Sequence, residues 1–254
     1  MTAAEIYKTL GVSGEVLAYG EKILETLRPR FVEIDARAEI NQAKVLAAMQ
    51  KNRVNATHFA ASTGYGYDDL GRETLDKIYA QVFGAEAALV RINFVNGTHA
   101  LTAAMFATVK PGDTILAATG MPYDTLRSAI GISGRCHGSL KFYGIDYAQV
   151  DLRADGTPDI EGIKAAVSDK KVTAVMIQRS RGYEDRPALT VEQIGEICAA
   201  VKSVDPSAVI MVDNCYGEFT DVIEPTDVGA DLIAGSLIKN PGGGLAPTGG
   251  YVVG

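Results

Sequence analysis

From about residue 87 onward the chain alternates between two hydrophobic periods, and this alternation constrains its fold more than any other feature. Short apolar runs at 87–92, 114–118, 172–177 and 209–212 have the length and composition of buried strands. Between them, 100–109, 160–167 and 191–204 carry apolar residues three and four apart, the spacing of helices with one buried face. Strands that are apolar on both faces and take turns with helices build a mostly parallel sheet flanked by helices, an α/β fold. Ligands of such sheets bind beyond the carboxyl ends of the strands, so functional residues are expected where strands run into loops.

The N-terminal part reads differently. From Ala3 to about Arg53, Val16, Leu17, Ile23, Leu24, Leu27, Phe31 and Ile34 recur at helical spacing, predicting an N-terminal helical arm over 1–60 that Pro29 kinks or divides. The next stretch, HFAASTGYGYDDLGRETL, is dense in Gly, Ser, Thr and Asp and lacks a period, so it predicts a long loop. Residues 61–254 then form one large domain, within the usual size of a single core.

Composition narrows the class. The net charge of −7 and the lack of a Lys/Arg run argue against nucleic acid as a partner. Cys136, Cys198 and Cys215 are too few and scattered for a disulfide framework, which fits a reducing cytoplasm. No stretch has the roughly 20 apolar residues of a membrane span, and the polar N-terminus does not read as a signal peptide. His58, His99 and His137 have no metal-ligand spacing, so no metal site is expected.

Four strand-end segments carry unusual residues. In NGTHA, Gly97 and Thr98 open a helix whose free N–H groups suit a phosphate, although Thr98 could simply cap the helix. In VDNCYGEF, Asp213 ends a buried apolar run, where a carboxylate needs a cationic or hydrogen-bonding partner. A protonated pyridine nitrogen would serve, as would a metal or a helix N-terminus. In AGSLIKNPGGGLAPTGGYV, Ser236 and Lys239 stand between a strand and a glycine loop. Partial desolvation there makes Schiff-base chemistry accessible to a lysine, yet most lysines are plain surface residues. The 26-residue separation of Asp213 and Lys239, with one strand between, lets the two face each other across a ring-sized gap. In TGMPYDTL, Tyr123 precedes a helix and is placed either to cover a flat cofactor or to pack on that helix.

The segments STGYGYDDLGRETL, NGTHA, TGMPYDTL, IQRSRGY, VDNCYGEF and AGSLIKNPGGGLAPTGGYV, in this order, resemble the aluminium resistance or methionine gamma-lyase-like family. That family belongs to the pyridoxal-phosphate (PLP) enzymes of cysteine and methionine metabolism, with the aspartate aminotransferase fold. The resemblance covers nearly the whole chain. It implies a PLP-dependent lyase that cleaves a carbon–sulfur bond of an amino acid by beta- or gamma-elimination. By the same resemblance Lys239 is the Schiff-base lysine, Asp213 the partner of the pyridine nitrogen and Tyr123 the ring-stacking residue. Gly97 and Thr98 are implied as the phosphate-cradling turn, Ser236 as the cofactor-binding hydroxyl three before the lysine, and Tyr65 at the phosphate of a neighbouring subunit in a homodimer or homotetramer with shared sites.

The chain also departs from the wider pattern. Ile238 stands where a threonine usually precedes the lysine, and Tyr67 where an arginine usually follows Tyr65, with Arg72 as the candidate substitute. QRSRGY replaces an Asn-containing loop, which brings Arg179 and Arg181 in as candidate contacts, although either could be a surface salt-bridge partner instead, and His99 directly follows the phosphate turn. Relatives continue into a smaller C-terminal domain carrying the arginine for the substrate carboxylate; that domain is expected to be absent here, in a fragment or a truncated form. Two other readings stay open: transamination or aldol cleavage on the same scaffold, and a non-catalytic binding or assembly module. A nucleotide-binding reading of NGTHA is weaker, since neither GxxxxGK[ST] nor GxGxxG occurs.

Overall fold

The structure, a computed structural model, describes residues 2–134, 137–169 and 171–254. The chain divides into two compact units, one that ends at Ala43 and a second, Lys44–Gly254.

The arm holds two helices, α1 (Ala3–Thr9) and α2 (Gly14–Lys51). Thr2 caps α1 through a reciprocal capping box with Glu5, and the chain turns at Gly11, whose φ of 81° is in the left-handed region. The expected single helical run is therefore broken near Gly11 and not at Pro29, which α2 passes without interruption. Its neighbours are exposed, so water can satisfy the carbonyl that loses its donor.

The expected loop over HFAASTGYGYDDLGRETL is shorter than the sequence suggests. A 3-10 turn covers Ala56–Phe59, and α3 (Leu70–Val82) begins inside the segment, capped by the Asp69 side chain, which accepts from Arg72 N at 3.1 Å. The helix buries Ile78 and Val82, and Gly71 lies so close to the His58 carbonyl that a Cβ would clash with it.

The second unit is built on seven strands: β1 (Ala88–Arg91), β2 (Thr114–Ala117), β3 (Asp146–Gln149), β4 (Val172–Gln178), β5 (Val209–Asp213), β6 (Leu232–Ser236) and β7 (Gly250–Val253). They form one sheet in the order β1-β7-β6-β5-β4-β2-β3. All neighbours are parallel except β7, which is antiparallel to both β1 and β6. The alternation along each strand fills two cores. Val175, Ile177, Ile210, Val212 and Ile233 face one way, against α3, α6 (Ile160–Asp169) and α7 (Val191–Val204). Ala174, Met176, Met211 and Ala234 face the other, against α4 (Gly97–Thr108) and α5 (Asp124–Ile130). The mostly parallel sheet flanked by helices is the fold that the sequence predicts. β3 went unread because it is an edge strand of sequence DYAQ in which only Ala148 is buried.

Ile194 is completely buried between α7 and the sheet. Ile194→Ala should therefore cost about 2–5 kcal/mol, the usual range for deleting a buried isoleucine. The exposed neighbour change Glu196→Ala should stay within about 0.5 kcal/mol. Urea unfolding of both variants measures the difference.

Candidate functional site

At the carboxyl ends of the strands lies a cavity of about 260 Å³, near the lower end of the range of ligand pockets. Residues from five connections line it, including Gly97, Thr98, Tyr123, Ser180, Asp213, Tyr216, Ser236 and Lys239.

One wall is the start of α4. The Asn96 side chain accepts from His99 N at 2.9 Å, and the N–H groups of Gly97 and Thr98, in the first turn, have no partner within the helix. Glycine is required at 97, because a Cβ there would sit 2.9 Å from that of Ser236. This contact brings the helix start and the end of β6 together. The Thr98 hydroxyl is 2.7 Å from that of Thr125, which links α4 to the first turn of α5.

Tyr123 forms the adjoining wall. Its backbone N donates to the buried Gln178 Oε1 at 2.7 Å, and Gln178 Nε2 donates to Ser180 O at 3.1 Å, so one amide at the end of β4 positions both flanks. The Tyr123 hydroxyl donates to that of Tyr183 at 3.2 Å, with ring centroids 5.6 Å apart. This hydrogen bond first, then partial burial, pushes the Tyr123 phenol up to about 12.

Asp213 closes the floor. It is buried at the end of β5, in register with Gln178 and Ala234, and its Oδ1 accepts from Cys215 N at 3.1 Å. Burial pushes its carboxyl above the ordinary value, against the weaker pull of that hydrogen bond, of the Cys215 thiol and of Lys239. Lys239 follows β6 at the start of the short 3-10 turn Asn240–Gly242, where a Cβ on Gly242 would overlap the Leu237 carbonyl. Its ammonium donates to the Tyr216 hydroxyl and lies 3.9 Å from the centre of that ring.

The structure thus gathers Lys239, Asp213, Tyr123, Gly97, Thr98 and Ser236 around one cavity. Tyr65 and Arg72 are not among its lining residues. Tyr65 is 81% exposed and packs on Tyr67 at 5.4 Å, while Arg72 is held by Gly64 O and Asp69. Arg179 is removed as a candidate ligand contact. It is buried beside β5, donating to Asn214 at 2.9 Å and Thr220 at 3.1 Å, with Glu224 at 3.5 Å and Asp221 at 3.6 Å. Arg181 is exposed and outside the cavity lining. His99 does not line the cavity; its Nδ1 accepts from Val95 N at 3.3 Å and its ring meets Phe94 edge-on. Cys215 lies beyond the end of β5 and lines the cavity, and burial raises its thiol. Cys198 is free and buried, and Cys136 lies outside the described residues. No group of three His, Cys, Asp or Glu among the described residues is placed to hold a metal, and no helix there is long and apolar enough to cross a membrane.

The sequence reading missed Tyr216, Gln178 and Ser180. Only the position of Tyr216 three residues after Asp213, in the same loop, could have signalled it. It also missed Glu218, 1% exposed, whose Oε1 accepts from the Tyr251 hydroxyl at 2.6 Å while Oε2 is buried without a partner.

The residues fit PLP. A buried carboxylate whose proton affinity is raised by burial, a lysine on the same cavity, and a helix start packed too tightly for any side chain are what its ring nitrogen, aldehyde and phosphate require.

Burial pushes the Glu218 carboxyl from its ordinary 4.5 to about 7. Between those values the native state keeps a proton that the unfolded chain has lost, so stability falls as pH rises from about 4.5 to about 7 and is then level. The share of this group is about 3 kcal/mol. Glu218→Gln should flatten the fall, as read by urea unfolding across pH 4.5–8.

Comparison with known proteins bears on the family and the fold. The family model for methionine gamma-lyase matches residues 16–254. YnbB of Bacillus subtilis is 51% identical over 223 residues, which are 87% of this chain and 53% of YnbB. The solved carbon–sulfur lyase involved in aluminium resistance from Clostridium novyi is 49% identical, with a TM-score of 0.95 over 100% of this chain and 61% of its own. The PLP-dependent protein YhfS from Escherichia coli, at 19% identity and a TM-score of 0.64 over 86% of this chain and 55% of its own, shares the fold. The chain spans between about half and two thirds of the length of these relatives. With the family model matched over nearly its full length, the chain belongs to the methionine gamma-lyase family.

Proposed function

We propose that this chain forms the cofactor-binding part of a PLP-dependent carbon–sulfur lyase, which removes a thiol from a sulfur-containing amino acid by beta- or gamma-elimination. The observation that carries the reading is the meeting of Lys239, Asp213 and the α4 N-terminus on one cavity. PLP, when bound, supplies an electron sink for negative charge at the substrate alpha carbon.

The protein groups divide the remaining work. The first-turn N–H groups of α4, with the Thr98 and Ser236 hydroxyls, hold the phosphate at the positive end of the helix dipole. Asp213 keeps a proton on the ring nitrogen, its own ionised form being favoured once a cation faces it. Tyr123 covers the ring. Lys239, beyond anchoring the aldehyde, takes the proton from the alpha carbon. The Tyr123 hydroxyl then protonates the departing sulfur. Its high proton affinity keeps that proton in place at neutral pH. Water then hydrolyses the unsaturated amino acid left by loss of the thiol, so that a keto acid, ammonia and a thiol are the products.

Lys239→Ala should abolish the borohydride-stable PLP label on the full-length protein. A label persisting in that variant would exclude Lys239 as the anchor. Asp213→Asn should retain PLP yet lose about 3–5 kcal/mol of transition-state stabilisation, seen as a fall in kcat with thiol release as the assay. Turnover at the wild-type rate would mean that Asp213 does not serve the ring nitrogen. Keto acid without thiol would replace elimination by transamination.

Tyr65 and Arg72 enter through a second copy: we propose that the 62–75 segment of one subunit completes the phosphate site of another. The exposure of Tyr65 and its place outside the cavity lining of its own chain support this. Mixing Lys239→Ala with a Tyr65→Phe, Arg72→Ala double variant should restore up to about a quarter of the sites in full-length dimers, because each hybrid holds one site with all native groups. Hybrids confirmed by mass but inactive would place the segment in its own subunit.

A further inference from the structure

We infer that Tyr216 is a positioning residue for Lys239, the cavity-lining phenol that holds the lysine amine ready for an incoming aldehyde, with Asn240 locking the turn that carries it. The inference rests on the proposed role of Lys239.

Tyr216 has φ +67°, in the left-handed region that only a few per cent of non-glycine residues occupy. Such backbone persists only where its surroundings over-determine it, and it gathers at functional sites. Here the surroundings do so. Asn240, the residue directly after Lys239, reaches back and donates its side-chain N–H to the carbonyls of Tyr216 at 3.2 Å and Glu218 at 2.8 Å. On the other side Gly217 N donates to Asn214 O, the Tyr251 hydroxyl to Glu218, and Phe219 N to Glu224 Oε1 at 2.9 Å.

The turn so fixed brings the phenol to the lysine twice over. Its oxygen accepts from the ammonium, and its ring lies beneath it with the nitrogen 3.9 Å from the centre. A cation over an aromatic face and a hydrogen bond to the same charged group both restrict where the head of a flexible four-carbon stem can be. A chance surface contact would need neither a left-handed tyrosine nor an asparagine bridging 24 residues to secure it. The loop after β5 and the turn after β6 thereby form one unit, with Asp213 at its base and Lys239 at its rim.

The test uses two variants and two readouts on the cofactor-free protein. Tyr216→Phe keeps the ring and removes the acceptor, while Tyr216→Leu removes both; the site is 57% exposed, so neither should disturb folding. Isotope-edited NMR of lysine side chains should show the Lys239 ε-methylene shielded by the ring in the wild type and in Tyr216→Phe, and unshielded in Tyr216→Leu. The second readout is the rate at which PLP is captured, the lysine nitrogen bonding to the aldehyde carbon with loss of water, trapped by borohydride and mapped by peptide mass. That rate should fall about tenfold in Tyr216→Phe and further in Tyr216→Leu, as loss of a pre-set geometry predicts. Asn240→Ala should reproduce the fall at an unchanged melting temperature. No shielding in the wild type, or capture by Tyr216→Phe at the wild-type rate, overturns the inference. Label retained in Lys239→Ala instead overturns the role of Lys239 itself, so the two failures are told apart.

Discussion

The guanidinium of Arg179 sits at the end of β4 with 3% of its surface exposed, bonded to Asn214 and Thr220 and flanked by Glu224 and Asp221. A charge so buried is tolerable only while its partners stay in place; removing one partner of such a pair costs about 3–5 kcal/mol. Each of these partners belongs to the connection after β5, the segment that also carries Cys215 and Tyr216 and begins directly after Asp213. The loop that shapes the cavity floor is therefore held to the neighbouring strand by an interaction it cannot leave cheaply. Asn214 spans both signs of the cluster, accepting from Arg179 and donating to Glu224 at 3.1 Å.

Around this cation the buried acids outnumber the bases. Asp213, Glu218 and Glu224 all fall in the stretch 213–224, and burial raises the proton affinity of each. Arg179 answers mainly Glu224, and Glu218 is met by the neutral Tyr251 hydroxyl. Asp213 has the backbone N–H and the thiol of Cys215 and the weaker influence of Lys239. A cation brought against Asp213 would recover what burial takes from that carboxylate, which is the physical reason for pairing it with a protonated ring nitrogen.

How much of this was legible in the sequence depended on how local the cause was. The apolar runs of β4, β5 and β6 and the period of α7 are local, and they led to the sheet and its carboxyl edge. Lys239, Asp213, Tyr123, Gly97, Thr98 and Ser236 were visible because each stands at a strand end beside turn residues. Pro29 misled, since the one hydrogen bond it removes from a helix of 38 residues falls on an exposed stretch where water can replace it. β3 was hidden because an edge strand needs few apolar residues, and the start of α3 because Gly and Asp read as loop until Asp69 is seen to cap it. Arg179 looked like a ligand contact because its four partners lie 35 to 45 positions away in the chain. Tyr216 was missed for a related reason: nothing in the residues DNCYGEF reveals that the backbone turns left-handed there, since the restraint comes from Asn240.

The arrangement also gives the cavity a direction. At one side two N–H groups of α4 present the positive end of a helix dipole, with the Ser236 and Thr98 hydroxyls beside them. At the floor lies the buried Asp213 carboxylate. A ligand that fits must be anionic where it meets the helix and cationic where it meets the acid, with an aromatic or flat body between if Tyr123 is to cover it. A nucleotide satisfies the first requirement and not the second, because its base carries no charge at neutral pH. A free aliphatic amino acid carries both charges but has no flat body for Tyr123 to cover, and an aromatic one has no aldehyde for Lys239. A phosphorylated pyridine meets all three, and its aldehyde is the one group for which a lysine held at the rim by Tyr216 is the natural partner. The polarity of the cavity, fixed by the direction of α4 and the end of β5, is thus the property that the proposed cofactor matches before any substrate contact is considered.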